Sequence, residues 1–186
     1  VYLDFLTQLG ADIYAEQDAR AIDVAEDFGR TMANCGLDGG VDLRREKRGC
    51  AWAEVGLADT VRDAVAGSPR IDGEVLSFSA GAHYAVAERL SVALAVGYSD
   101  LDLAGYDNRW TAGGEAIQFG LGAIYRIGAT EFSAFASYGE TSFDTARELP
   151  GFAGSAASTR DVEMIAARVG VDHRFDFGGF MLTPGV

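Results

Sequence analysis

Two hydrophobic periods divide this chain. Over residues 1–34, Leu3, Leu6, Leu9, Ile13, Val24, Phe28 and Met32 recur mostly at helical spacing, with Asp, Glu, Gln and Arg between them and no proline. The pattern predicts a helix, weakened at Gly10 by about 1 kcal/mol relative to Ala and stopped near Asn34 and Gly36. Residues 36–49, GLDGGVDLRREKRG, are polar and punctuated by glycine, and predict a linker. From Cys50 the period changes to two. Seven strands are predicted, at about 50–61, 75–87, 90–101, 115–127, 130–143, 161–176 and 180–186.

Each strand has one greasy face and one small or polar face. Val92, Leu94, Val96 and Tyr98 oppose Ser91, Ala93, Ala95, Gly97 and Ser99. Ile117, Phe119, Leu121, Ala123 and Tyr125 oppose Gln118, Gly120, Gly122 and Arg126. The predicted connections alternate in length: 62–74, 102–114 and 144–160 are long, whereas Glu88–Arg89, Gly128–Ala129 and Phe177–Gly179 are short. Long loops at one end and tight turns at the other fit a transmembrane β-barrel better than a sandwich. The greasy-face aromatics fall into two groups, as membrane girdles do. Tyr84, Tyr125, Phe132, Phe175 and Phe180 lie near the turns, and Phe78, Tyr98, Phe119 and Tyr138 lie toward the loops. No Lys, Arg, Asp or Glu falls between them on that face, where a Lys or Arg would cost roughly 2–4 kcal/mol. The competing reading is a soluble antiparallel barrel or sandwich whose greasy face is the core. It leaves a solvated face unusually rich in Gly and Ala.

Composition narrows the class. With 15 Lys+Arg against 28 Asp+Glu the net charge is −13, which excludes a nucleic-acid surface. Apolar residues make up 48 %, so the chain is not disordered by composition. Glycine accounts for 24 of 186 residues, nearly twice the usual ~7 %. Gly81, Gly97, Gly120, Gly122, Gly139 and Gly170 fall on the small-residue face, where they thin the wall or bend it. No GxSxG, HExxH, P-loop or Rossmann pattern occurs, no cofactor is implied, and two histidines without CxxC spacing make no zinc site. Cys35 and Cys50 are read either as two free buried thiols or as a disulfide formed in an oxidising compartment.

The strand segments resemble a known family, the C-terminal translocator barrel of autotransporters, or type V secretion proteins. CAWAEVG resembles its Trp-containing first strand, and GAHYAVAERLSVALAVGYSDLDL its strand–turn–strand unit. FGLGAIYRIGATEFSAFASYGETSFDTAREL resembles the next hairpin, and RVGVDHRFDFGGFMLTPGV a later one. The resemblance covers about 50–186 and implies an all-β, antiparallel up-and-down transmembrane barrel in the outer membrane of a Gram-negative bacterium. It also implies a helix threading the lumen. Residues 1–49 are then the helical arm and linker, and 50–186 the barrel wall. The chain starts without Met, and seven strands are too few to close such a barrel, so an excerpt of a longer protein is expected.

The implied partners are outer-membrane lipid and lipopolysaccharide, the barrel assembly machinery, and a covalently attached upstream passenger. The implied role is to export or anchor that passenger, and transport rather than catalysis. A diffusion porin is the alternative. Some family members cut the passenger free between two adjacent Asn residues. The only asparagines here are Asn34 and Asn108, so that cleavage is not carried over. Glu54, Arg126, Arg168, Asp172 and Arg174 share the lumen phase and are expected to contact charged groups of the helix such as Asp18, Arg20 and Asp23. On the barrel reading a Cys35–Cys50 bridge would tie the helical arm to the first strand, contributing about 3 kcal/mol by loop closure.

Overall fold

The computed structural model describes residues 12–34, 41–45, 49–63, 70–105, 110–149, 154–176 and 181–182. A helix, α1 (Asp12–Asn34), precedes β1 (Val41–Arg45), β2 (Gly49–Arg62), β3 (Ile71–Ala85), β4 (Leu90–Gly105), β5 (Trp110–Ile127), β6 (Thr130–Glu148) and β7 (Ser155–His173). These strands form one sheet in the order β1-β2-β3-β4-β5-β6-β7, every neighbour antiparallel. Two short strands, β8 (Phe175–Asp176) and β9 (Met181–Leu182), pair separately. The architecture is an up-and-down meander with an N-terminal helix. Among the described residues β1 and β7 remain its two edges.

Two sequence expectations are corrected. The segment expected to be a linker contains β1, because Val41 and Leu43 alternate with Asp42 and Arg44 and pair with Ala53 to Cys50. The strands also run further than expected at the loop end. β4 reaches Gly105, β5 starts at Trp110, β6 reaches Glu148 and β7 starts at Ser155. The connections there shrink to 63–70, 106–109 and 149–154. Of the strand expected over 180–186, Met181–Leu182 is described, as β9, and the rest lies outside the described residues. At the other end the turns are tight, as expected. Gly128 has φ 60°, the left-handed conformation that a side chain disfavours, and closes the two-residue turn between β5 and β6.

The sheet curves around α1. Arg62 of β2 and Arg160 of β7 both reach the helix. These strands are five spacings apart, about 24 Å in a flat sheet, whereas a helix is only ~10–12 Å across. Both arginines can touch it only if the wall wraps around it. The helix lies mainly against β4 to β7.

The faces follow from the alternation. In the turn-end half, Leu94, Val96, Ile117, Phe119, Leu121 and Val169 point away from the helix and stay at least half exposed. In the loop-end half the apolar positions change parity. Leu101 and Leu103 on β4, Ala112 and Ala116 on β5 and Phe143 on β6 turn toward the helix and bury with Ala21 and Val24. A second inner cluster lies toward the turns, formed by Phe28 and Met32 with Trp52, Ala93, Ala95, Ile124 and Phe135. Among the described residues no helix is long and apolar enough to cross a membrane, which says nothing of strands.

Candidate functional site

The outward face carries the first part of the site. On β3 and the residue after it, the outward positions from Leu76 to Val86 are Leu76, Phe78, Ala80, Ala82, Tyr84 and Val86. On β5 they run from Ile117 to Ile127. Ten residues advance about 33 Å along a strand. At a tilt of ~40° that is about 25 Å along the membrane normal, the height of the apolar band of an outer-membrane barrel. On β2 to β7 no Lys, Arg, Asp or Glu occupies a described outward position within this band. His173 lies at its edge and shares a 2.8 Å hydrogen bond with Thr130 Oγ1.

The expected girdle aromatics sit on this face. Phe78 pairs directly with Tyr98, Phe119 with Tyr138, and Tyr125 with Phe132 across the ladders. All six are exposed, as are Tyr84 and Phe175. Phe180 lies outside the described residues.

A feature the sequence reading missed borders the band. The first outward position beyond it is acidic on six successive strands: Asp59, Glu74, Asp100, Glu115, Glu140 and Glu163. Register opposes Asp59 to Glu74, Asp100 to Glu115 and Glu140 to Glu163. Like charges directly opposed in a sheet repel, so this row belongs in water or at a polar interface.

The inner face holds the helix. Glu16 is buried, yet both its oxygens are paired: Oε1 with Arg20 Nη2 at 2.6 Å and Oε2 with Arg62 Nη1 at 2.9 Å. Arg20 also donates to Thr60 Oγ1 at 3.1 Å. From the far side of the sheet, Arg160 pairs with Asp18 at 2.8 Å, donates to the Tyr14 carbonyl at 3.2 Å and lies over the Tyr14 ring. Gln17 Nε2 donates to Thr145 Oγ1 at 2.7 Å. These contacts all hold the N-terminal half of α1 at the loop end. At the turn end His83 Nε2 donates to the Met32 carbonyl at 2.8 Å, meeting one of the unsatisfied carbonyls of the helix's last turn. Two glycines admit the helix closely. A Cβ at Gly97 would come within 2.9 Å of the Phe28 ring, and one at Gly120 within 2.5 Å of Met32 Sδ.

The five charged residues expected to contact the helix are distributed differently. Glu54 lines a cavity beside α1, and Arg168 lines another together with Glu26 and Arg30. Arg126 instead pairs with Glu131, its register partner across the β5–β6 hairpin. Asp172 is the next residue in that row. The row lies beyond the level of Met32 and His83, so these side chains stand past the last helical turn. Arg174 follows β7 and is exposed. The arginines that do grip the helix, Arg62 and Arg160, fall in segments read from sequence as loops. Cys50 is disulfide-bonded, and Cys35 lies outside the described residues.

The sheet thus presents an apolar outward face with paired, exposed aromatics and holds a helix against its inner face. The autotransporter beta-domain profile matches residues 51–186. The chain belongs to the autotransporter beta-domain family. It is a translocator-type wall of the Gram-negative outer membrane, and the family is one of transport barrels. Among solved structures the chain is similar to the translocator domain of the autotransporter NalP from Neisseria meningitidis. The TM-score is 0.75 at 15 % identity, covering 89 % of this chain and 56 % of that one. This chain thus spans little more than half of that structure. A more distant likeness, to the outer-membrane transporter YddB from Escherichia coli, has TM-score 0.39 at 10 % identity and covers 78 % of this chain and 24 % of that one. Comparison with curated protein sequences gives no match.

Proposed function

We propose that this chain forms part of a translocator that exports, or anchors at the cell surface, a passenger attached upstream of α1. Residues 1–49 are the pore-threading arm together with the edge strand β1, and 50–186 continue the barrel wall. The observation that carries this reading is the polarity of the helix. Its N-terminal half is held at the loop end by Arg62 and Arg160, and its C-terminal half ends beside His83 at the turn end. A chain running in that direction leads from a passenger outside, through the lumen, to the first strand at the periplasmic rim. A diffusion porin has no use for a helix held on both flanks by buried and half-buried ion pairs.

The finer assignments rest on the same reading. A Cys35–Cys50 bridge fastens the end of the arm to β2, and alkylation of the unreduced, unfolded protein should find no free thiol. The barrel assembly machinery inserts the wall, and lipopolysaccharide is its outer-leaflet neighbour. The role is transport, without catalysis.

The direct test places an epitope immediately upstream of Asp12 in the full-length protein. Antibody and protease should reach the epitope on intact cells, and β-strand turns such as 86–89 should stay protected. An epitope accessible only after the outer membrane is permeabilised would refute the proposed direction.

A further inference from the structure

We infer that the permeability seal on the β2–β5 side of the lumen is one apolar layer around Trp52, and that the space beyond it is a hydrated chamber attractive to small inorganic cations. This rests on the reading of α1 as a pore helix. The helix lies mainly against β4 to β7. On the other side a cavity of about 370 Å³ runs between the helix and β2 to β5. It borders α1 from Arg20 to Thr31, about 17 Å of helix.

Its wall is polar. Glu54, Ser79, Gly97 and Gln118 are successive register partners across β2, β3, β4 and β5, with Ser77 and Ser99 one inward step further on. Gln118 is 2 % exposed and its Nε2 has no protein partner. A buried amide donor beside a cavity of this size calls for water, and there is room for on the order of ten molecules. The cavity is lined by Asp23, Glu26, Asp27 and Glu54 against Arg20 and Arg30, four negative charges against two positive. A water-filled space with that balance favours cations over anions.

One inward step toward the turns, the wall changes character. Trp52, Gly81, Ala95 and Gly120 are the register partners of that row. Trp52 is 3 % exposed, and its ring crosses Gly81 so closely that a Cβ there would lie 2.7 Å from it. Met32 fills the space over Gly120, and Phe28, Ile124 and Phe135 complete the layer. Trp52 is the one large side chain that this row of β2 to β5 contributes. An apolar constriction of this kind stops ions by excluding water.

The test is conductance of the full-length protein in planar bilayers, with a variant lacking residues 12–34 as reference. Trp52→Ala should raise conductance several-fold over the parent while staying below the helix-less barrel. A salt gradient should show preference for K⁺ over Cl⁻. Glu54→Gln in the Trp52→Ala background should reduce that preference. Unheated gel mobility checks that each variant is folded, and Trp52→Leu replaces Trp52→Ala if the larger truncation prevents folding. Gln118→Glu should insert and fold, because its added charge meets water. Parent-like conductance of the folded Trp52 variants, anion preference, or loss of folding in Gln118→Glu would each overturn the inference. A helix-less barrel that conducts no more than the intact chain would instead overturn the pore-helix reading on which it rests.

Discussion

On β4, Leu94 and Val96 point away from the helix and stay 60 % and 53 % exposed, whereas Leu101 and Leu103 point at it and are buried. The carboxylate of Asp100 faces outward between these two pairs. The same change occurs on neighbouring strands. Phe119 is outward on β5, but Ala116 turns inward. Tyr138 is outward on β6, but Phe143 turns inward. Below the row of acids the sheet faces hydrocarbon and keeps its small residues inside. Above the row it faces water and builds an ordinary core against α1. One continuous sheet therefore serves two solvents, and the switch needs only a change of parity within the alternation. The helix is held chiefly by the upper half, where the apolar cluster and the two arginines act together. The lower half combines glycines and small residues with the cluster of Trp52, Ile124 and Phe135, and cavities flank the helix on both sides.

Two phenylalanines give the largest expected contrast. Phe143→Ala empties a fully buried position in the upper cluster and should cost about 3–5 kcal/mol. Phe119→Ala faces lipid, leaves no closed cavity, and should cost much less. Denaturant unfolding in detergent micelles compares them, and equal losses would erase the distinction between the halves. Arginine gives the opposite contrast. Leu94→Arg places a charge in the middle of the apolar band and should cost roughly 2–4 kcal/mol. Asp102→Arg faces outward above the acids and should stay within about 0.5 kcal/mol of the parent. Yield of heat-modifiable, membrane-inserted protein is the readout.

The lower half was the more legible from sequence, for a physical reason. There, lipid selects one apolar face without interruption, so Val92, Leu94, Val96 and Tyr98 announce strand, face and span together. Above the row, the apolar positions move to the other phase while acids take the outward one. A reader following a single phase sees the strand end. That is why Leu101, Leu103 and Phe143 do not read as core, and why Arg62 and Arg160 read as loop residues. The acids themselves were visible: Asp59, Glu74, Asp100, Glu115, Glu140 and Glu163 each lie two residues beyond an outward apolar residue. Each one alone resembles ordinary loop charge, and only the register aligns them. Arg126 misled because the lumen phase gives direction but not height, and its height is past the helix end.

Smaller effects sharpen the picture of how the helix is held. Arg160→Ala removes a half-exposed pair with Asp18, worth about 0.2–1 kcal/mol after solvent screening. Global stability should change little. Amide exchange in the first two turns of α1 should accelerate, while the last turn, fastened by His83, should not follow. Exchange rising equally along the helix would mean that it moves as a rigid rod rather than unlatching from its outer end.

The smallest effect concerns the boundary itself and has the opposite sign. Glu74 stands between Asp59 on β2 and Asp102 on β4, directly opposite both. Each opposition of like charges should destabilise the ladder by a few tenths of a kcal/mol. Glu74→Gln therefore should stabilise the folded wall by less than about 1 kcal/mol in detergent at low salt, although it removes a residue from a six-strand pattern. Raising the salt to about 1 M shortens the Debye length to ~3 Å, so the gain should fade as the parent's repulsion is screened. A gain that persists at high salt would mean that Glu74 is destabilising through packing rather than charge. A loss at low salt would mean that the row is held together by attractive contacts. Either result would remove the reason for placing these six carboxylates where the wall passes from hydrocarbon into water.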